Sequence, residues 1–180
     1  MSGSVEPELF ETFDECDRPL GLKPRAQVHR EGIWHRAVNV FLFDDRGRLY
    51  IQQRSACKDV GAGLWDLSAA EHLQPGENFE QAAQRGLMEE LGAMDVVLTA
   101  YPGIYRTKLE QDGVRDWEIQ RCYYGRYAGQ ITIDPDEVAE VRRVGRAALA
   151  AALAQGPNSH TPWFRQRVRD VDLLTSGWHG

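Results

Sequence analysis

Three cysteines, Cys16, Cys57 and Cys122, are all this 180-residue chain has, and no two form a CxxC pair. That odd, scattered set excludes a disulfide framework and a cysteine-rich zinc site, and it suits reduced thiols in a cytoplasm. No run of eighteen apolar residues occurs, so no membrane-spanning helix is expected. A basic-then-apolar leader is also missing, and the reading is accordingly without a signal peptide. Cationic excess is lacking too. The net charge of -6 argues against a nucleic-acid polymer as partner. Internal repeats and low-complexity segments are absent. What remains is 42% apolar content in a length that one domain fills with a real core, so residues 1–180 are expected to form a single domain. Residues 1–7 are expected to fray, and 157–180 to form a C-terminal helix or tail.

The most informative stretch is Ser68 to Ala93, SAAEHLQPGENFEQAAQRGLMEELGA. Pro75-Gly76 marks a loop, Asn78 is the expected N-cap of a helix, and Gly92 is its stop. Between them Phe79, Ala82, Ala83, Leu87 and Leu91 recur at helical spacing, which makes one face core. At about 100° per residue, Glu90 projects about 20° from both Phe79 and Ala83, in the middle of that buried arc. A carboxylate there is costly unless a cation or several donors meet it. Glu89 lies at the margin of the arc, with Arg85 one turn back at i,i+4 spacing. An ordinary amphipathic helix with one tolerated acid is the bland alternative; the sharper one is a hard-metal site of oxygen ligands fed by the preceding loop.

Elsewhere, Glu8 to Phe13 and Leu22 to Val28 read as strands joined by a turn-rich Asp14 to Pro19 segment. Trp34 to Phe43 is more apolar and β-branched, as a buried central strand should be. Asp44-Asp45-Arg46-Gly47 signals a hairpin returning through Leu49 to Gln53, and Lys58 to Gly63 is a loop before a short strand, Leu64 to Ser68. Further strands are expected over Val96 to Thr99, Ile104 to Leu109 and Trp117 to Tyr127, the last two forming a hairpin about a Gln111-Asp112-Gly113 turn. Ile131 to Ile133 and Ala139 to Val144 are short strand candidates. Arg146 to Ala154 is helical, and Thr161 with Pro162 opens a last helix. Strands outnumber helices, so the expected fold is α/β (α+β), a mixed β-sheet flanked by helices.

Other candidates for chemistry stand outside the central helix. Asp116 and Glu118 share one strand face, with Trp117 on the other. If that face meets the helix, Glu118 would join Glu89 and Glu90 in a carboxylate cluster that needs a divalent cation. Arg54 and Lys58 are four apart, either a solubilising rim or a grip for substrate phosphates. His35 and His72 flank the central strand and the loop, whereas His29 reads as structural or exposed.

The stretch resembles the box of the Nudix hydrolases, G-x(5)-E-x(7)-R-E-U-x-E-E-x-G-U with U aliphatic. Glu77, Arg85, Leu87, Glu89, Glu90, Gly92 and Ala93 fall in register, while Glu71 replaces the first glycine and Gly86 the first helix glutamate. WHRAVNVFLF, QQRSACK, SAAEHLQPGE, EIQRCYY and TPWF further resemble the branch of that family containing isopentenyl-diphosphate isomerase, from about Val28 to Phe164. The resemblance implies a Nudix-type mixed β-sheet sandwiched between helices. It implies a divalent metal on His35, His72, Asp116 and Glu118, with His29 near the place of a further histidine. It also implies diphosphate held by Arg54 and Lys58, and a magnesium site at Glu90. Where the isomerases carry a catalytic cysteine, this chain has Ala70, which cannot move a proton.

The resulting expectation is a Mg²⁺- or Mn²⁺-dependent hydrolase cleaving a diphosphate linkage in a small molecule, a nucleoside diphosphate derivative or a prenyl diphosphate. Glu89, Glu90, Glu71 and Arg85 are its expected catalytic groups, with Glu71 standing in for the glutamate replaced by Gly86. Glu89, Glu90, Glu118, His72, His35 and Asp116 are its expected metal ligands. The alternative is a Nudix-fold protein that binds a phosphorylated ligand without turnover; isomerase activity ranks last. Neither a nucleic-acid polymer nor a membrane is expected as partner, and a homodimer is left open.

Overall fold

A computed structural model describes residues 7–111 and 113–180 of the chain. Most of the segment expected to fray, and Asp112 of the expected turn, lie outside these residues. Strands β1 (Leu9–Phe13) and β2 (Pro19–Pro24) form an antiparallel pair, followed by helix α1 (Arg25–Glu31). Strands β3 (Trp34–Phe43), β4 (Leu49–Arg54), β5 (Trp65–Asp66) and β6 (Ala69–His72) lead into helix α2 (Phe79–Leu91). After it come β7 (Leu98–Ala100), β8 (Tyr105–Gln111), β9 (Val114–Arg126), β10 (Val138–Val144), α3 (Arg146–Gln155) and α4 (Pro162–Asp170).

All ten strands join one sheet, mixed because β3 runs parallel to β9 and antiparallel to its other neighbours. Alternation along β3 decides which layer each side chain enters. Val38, Val40 and Leu42 pack with Ala82, Ala83, Leu87 and Leu91 of α2. Phe41 and Phe43 pack on the other face with Leu149 of α3 and Phe164 and Val168 of α4. The sheet is therefore sandwiched between helices, and residues before Phe41 on its α4 face (Asn39, Ala37, His35) continue that face away from the core.

The expected caps of α2 are present. The Asn78 side chain accepts from the Gln81 backbone N–H at 2.9 Å, the Gln81 side chain accepts from the Asn78 N–H at 2.9 Å, and Gly92 closes the helix in the left-handed region. Thr161 caps α4 likewise.

Four expected elements are corrected. Leu22 to Val28 is strand only as far as Pro24; α1 then takes Arg25–Glu31 and ends where Gly32, at φ 67°, donates its N–H to Val28 O at 2.9 Å. Pro24 and Gly32 are the punctuation of a helix, and the short apolar count concealed it. Leu64 to Ser68 is strand only at Trp65–Asp66, because Ser68 turns aside to stitch a gap. Strand β3 pairs with β4 only at Phe43↔Leu49, then diverges to pair with β6. The Ser68 hydroxyl spans the divergence, accepting from Leu42 N at 2.8 Å and donating to Tyr50 O at 2.5 Å. Val96 to Thr99 is displaced to Leu98–Ala100. Ile131 to Ile133 forms no strand, since Thr132 N donates to Leu91 O at 2.9 Å and both isoleucines pack on the α2 core.

Candidate active site

Where β3 and β4 diverge, a cavity of about 700 Å³ opens, and nearly every candidate side chain reaches it. At one end, α1, β3, β6 and β9 bring together His29, His35, His72 and Asp116, whose ligand atoms all lie within 4.8 Å of one another. Cross-strand register explains the convergence. His35 sits opposite Glu118, and Ala37 opposite His72, so β9 and β6 flank the same face of β3. Asp116 Oδ1 is 3.2 Å from His35 Nε2 and 3.5 Å from His29 Nε2. The His35 ring is oriented through Nδ1 to Ile33 O at 3.0 Å, leaving Nε2 aimed at the group. Phe10 stacks on His35 at 4.9 Å.

Burial pushes His29 down to about 4, which leaves a neutral imidazole at physiological pH. Burial would raise Asp116, but its close contact with His35, with the His72 and His29 rings nearby, outweighs it and holds the carboxyl below its usual range. His72 moves the other way: burial opposes its charge, yet Glu118, at 3.3 Å, and Asp116 raise it.

Buried polar atoms ordinarily find partners. Here His29 Nε2, His35 Nε2 and Asp116 Oδ1 approach one another yet none makes a well-aligned hydrogen bond. A divalent cation fits this donor set, which can chelate it through imidazole nitrogen and carboxylate oxygen.

The acids of α2 form a second centre. Glu90 is buried and accepts from Gln52 Nε2 and, at 3.2 Å, from Ala70 N. Burial, with the neighbouring Glu71 charge, pushes it up to about 8 against the opposing hydrogen bonds. Arg85 organises the others. It contacts Glu77 at 2.9 Å, Glu71 at 3.1 Å and Glu89 at 3.2 Å, and donates to His72 O at 2.8 Å. Its charge is strengthened by Glu77, Glu71 and Glu89 in spite of burial.

Of the expected metal ligands, the structure groups His35, His72 and Asp116. It adds His29, and it leaves Glu89, Glu90 and Glu118 outside that group. Glu118 stands beside it on His72 and Gln120 instead of closing a cluster with Glu89 and Glu90. His29 was expected near the place of a further histidine but was not among the expected ligands, because the strand reading of Leu22 to Val28 hid the helix that carries it. The Pro24 and Gly32 punctuation carried the helical signal that aims it.

Arg54 and Lys58 both line the cavity, and both have internal partners. Arg54 lies 3.3 Å from the fully buried Asp66 and over the Trp163 ring at 5.2 Å. Lys58 pairs with Glu137, and burial, with Arg54 nearby, lowers its pKa. The segment after Phe164 is a docked tail: Tyr101 Oη donates to Gly177 O at 2.6 Å, Trp178 Nε1 donates to Gly47 O at 3.1 Å, and His179 stacks on Tyr124 at 3.7 Å.

Comparison with known proteins agrees with this architecture. Residues 33–166 match the NUDIX domain family, and the chain belongs to it. Within that family it is related to bacterial isopentenyl-diphosphate Delta-isomerase sequences. It is 33% identical to isopentenyl-diphosphate Delta-isomerase 2 of Photorhabdus laumondii over 164 residues, 91% of this chain and 92% of that protein. It is 36% identical to the isopentenyl-diphosphate Delta-isomerase of Nocardia farcinica, covering 90% of this chain and 93% of that one. Among solved structures, the fold resembles DR0079 from Deinococcus radiodurans, with TM-score 0.75 at 22% identity over 91% of this chain and 99% of that one.

Proposed function

We propose that this chain is a metal-dependent hydrolase that cleaves a diphosphate linkage in a small molecule, either a nucleoside diphosphate derivative or a prenyl diphosphate. One observation carries the reading: a single cavity is lined by His29, His72 and Asp116 of the His–Asp group, by Glu71 and Glu90 with Arg85, and by the Arg54 and Lys58 cations. Bound there, Mn²⁺ or Mg²⁺ would polarise phosphate oxygens and lower the pKa of water. Imidazole-rich ligation favours Mn²⁺ over Mg²⁺ at the histidine end, whereas the oxygen ligands of Glu89 and Glu90 suit Mg²⁺. Glu118 adds a carboxylate beside His72.

The chain's own groups divide the remaining work. Lys58 and the free edge of the Arg54 guanidinium attract the diphosphate. Glu71 accepts a proton from the attacking water as its oxygen bonds to phosphorus, and the bridging P–O bond breaks with the leaving phosphate carrying the electron pair. Arg85 holds Glu71 and Glu89 in place through its ion pairs with both. The decisive experiment is phosphate release, with coupled phosphatase or pyrophosphatase, across nucleoside diphosphate derivatives, nucleoside triphosphates and prenyl diphosphates in Mg²⁺ and Mn²⁺. Turnover on one class that falls by about two orders of magnitude in Glu71→Gln, and is lost in Glu90→Gln, supports the reading.

A second reading, a binder without turnover, is favoured by Gly86, where the box has a glutamate. It predicts thermal stabilisation by ligands with no phosphate release. Isomerisation, the reaction named for the relatives, is disfavoured by Ala70, whose methyl group carries no exchangeable proton.

A further inference from the structure

Arg167 of α4 is 1% exposed, and a guanidinium so deeply buried is costly unless its hydrogens are used. Its hydrogen bonds to oxygen are made by Nη2, and the buried Cys122 thiol lies beside the guanidinium. Nη2 lies 2.7 Å from Asp170 Oδ2 and donates to Thr107 Oγ1 at 3.0 Å, while Nε and Nη1 have no hydrogen-bond partner and the Tyr105 ring lies 4.9 Å away. The arginine stands two strands away from the histidines, and a run of hydrogen bonds crosses that distance.

The direction of the run follows from the chemistry of its first member. Arginine can only donate, so the Thr107 hydroxyl accepts from it and turns its own hydrogen to Gln120 Oε1, 3.4 Å away. A Gln120 side chain accepting at Oε1 must present its NH₂ on the other side, where Nε2 donates to Glu118 Oε2. The second oxygen of Glu118 then faces His72 Nε2 at 3.3 Å. Thr107 and Glu118 are cross-strand partners on β8 and β9, and Gln120 is two residues on, so every member shares one sheet face. Reversing the Gln120 amide would put its oxygen against the Glu118 carboxylate, where neither group has a hydrogen to give.

We propose that Arg167 is a positioning residue, acting through Thr107 and Gln120 to hold the Glu118 carboxylate against His72 at the edge of the metal centre. The proposal rests on the reading of that centre as a metal site. Outer partners of this kind fix the geometry of the ligands, and their loss costs roughly 10–100-fold in metal affinity.

The test uses the full chain and Mn²⁺ alone. Thr107→Val keeps the volume and removes the hydroxyl, Thr107→Ser restores it, and Arg167→Lys shortens the donor. Mn²⁺ affinity is read by titration calorimetry, the melting temperature of the metal-free protein by calorimetry, and the Gln120 side-chain amide by its nitrogen-15 resonance and hydrogen exchange. The expected result is about tenfold weaker Mn²⁺ binding and faster Gln120 amide exchange in Thr107→Val, near-complete recovery in Thr107→Ser, and intermediate affinity in Arg167→Lys. A purely structural Arg167 would shift melting without this pattern. Unchanged Mn²⁺ affinity in a folded Thr107→Val overturns the proposal. If the wild-type chain binds no Mn²⁺, the metal reading itself fails. The hydrogen-bond run is then judged on the amide alone, standing if Thr107→Val releases it and falling if exchange is unaltered.

Discussion

A Cβ built on Gly86 lies 3.2 Å from Glu71 Cβ, so the β6 glutamate crowds the place where a helix side chain would begin. The two departures from the family box are thus one steric arrangement. Introducing a helix acid by Gly86→Glu, with Glu71 in place, is expected to lower both melting temperature and turnover, because an overpacked contact displaces β6 from α2. The double change Glu71→Gly with Gly86→Glu should recover much of the loss. A double variant worse than either single change would refute the exchange.

Glu90 gives the fold a pH signature. Its folded pKa of about 8 exceeds the ordinary carboxyl value of 4.5 because burial penalises the charge. Between those values the unfolded chain has released a proton that the folded chain retains, so stability falls as pH rises through the window. In metal-free protein, Glu90→Gln should therefore flatten the decline of melting temperature from about pH 5 to about pH 8. Saturating divalent cation should also flatten it, because a nearby cation favours the ionised carboxylate. Thermal scans with and without chelator check both, and equal slopes in wild type and variant would count against the buried-acid account.

His29 supplies the clearest test of the histidine group. Its depressed pKa means the imidazole arrives neutral, ready to donate a lone pair at physiological pH. His29→Gln removes that nitrogen while keeping a polar group of similar reach. Mn²⁺ affinity should drop by at least about tenfold, with little change in metal-free melting. An unaltered binding isotherm would exclude His29 from the centre.

Arg54 and Lys58 should separate by assay. Arg54 faces the fully buried Asp66, which also accepts from Thr161 and Trp163. Removing the cation leaves a buried carboxylate without its charge partner, so Arg54→Met should lower the melting temperature by several degrees at neutral pH and by less in acid, where Asp66 takes up a proton. Lys58 pairs with the half-exposed Glu137, and its loss should leave melting nearly unchanged while raising KM for a diphosphate substrate. The reverse pattern would exchange their roles.

Much of this was legible in the sequence because it depends on local rules. Asn78 and Gly92 bounded α2 since caps satisfy backbone groups within one turn of the residue that carries them. Glu90 could be placed in the buried arc from helical period alone, and Asp116 and Glu118 on one strand face from the period of two. The more apolar, β-branched character of Trp34 to Phe43 marked β3 as central.

What only the tertiary structure decided are relations between segments with no shared periodicity. His29 joins the site because α1 turns it inward, and Glu118 leaves the Glu89–Glu90 acids because β9 places it beside His72. The divergence of β3 from β4, stitched by Ser68, opens the cavity, and Arg167 of α4 donates to Thr107 of β8. Such contacts are fixed by cross-strand register and layer packing, which depend on every element at once. The sequence by itself determined the family, the central strand and the acid-bearing helix. Which of those acids and histidines face one another was settled by the sheet.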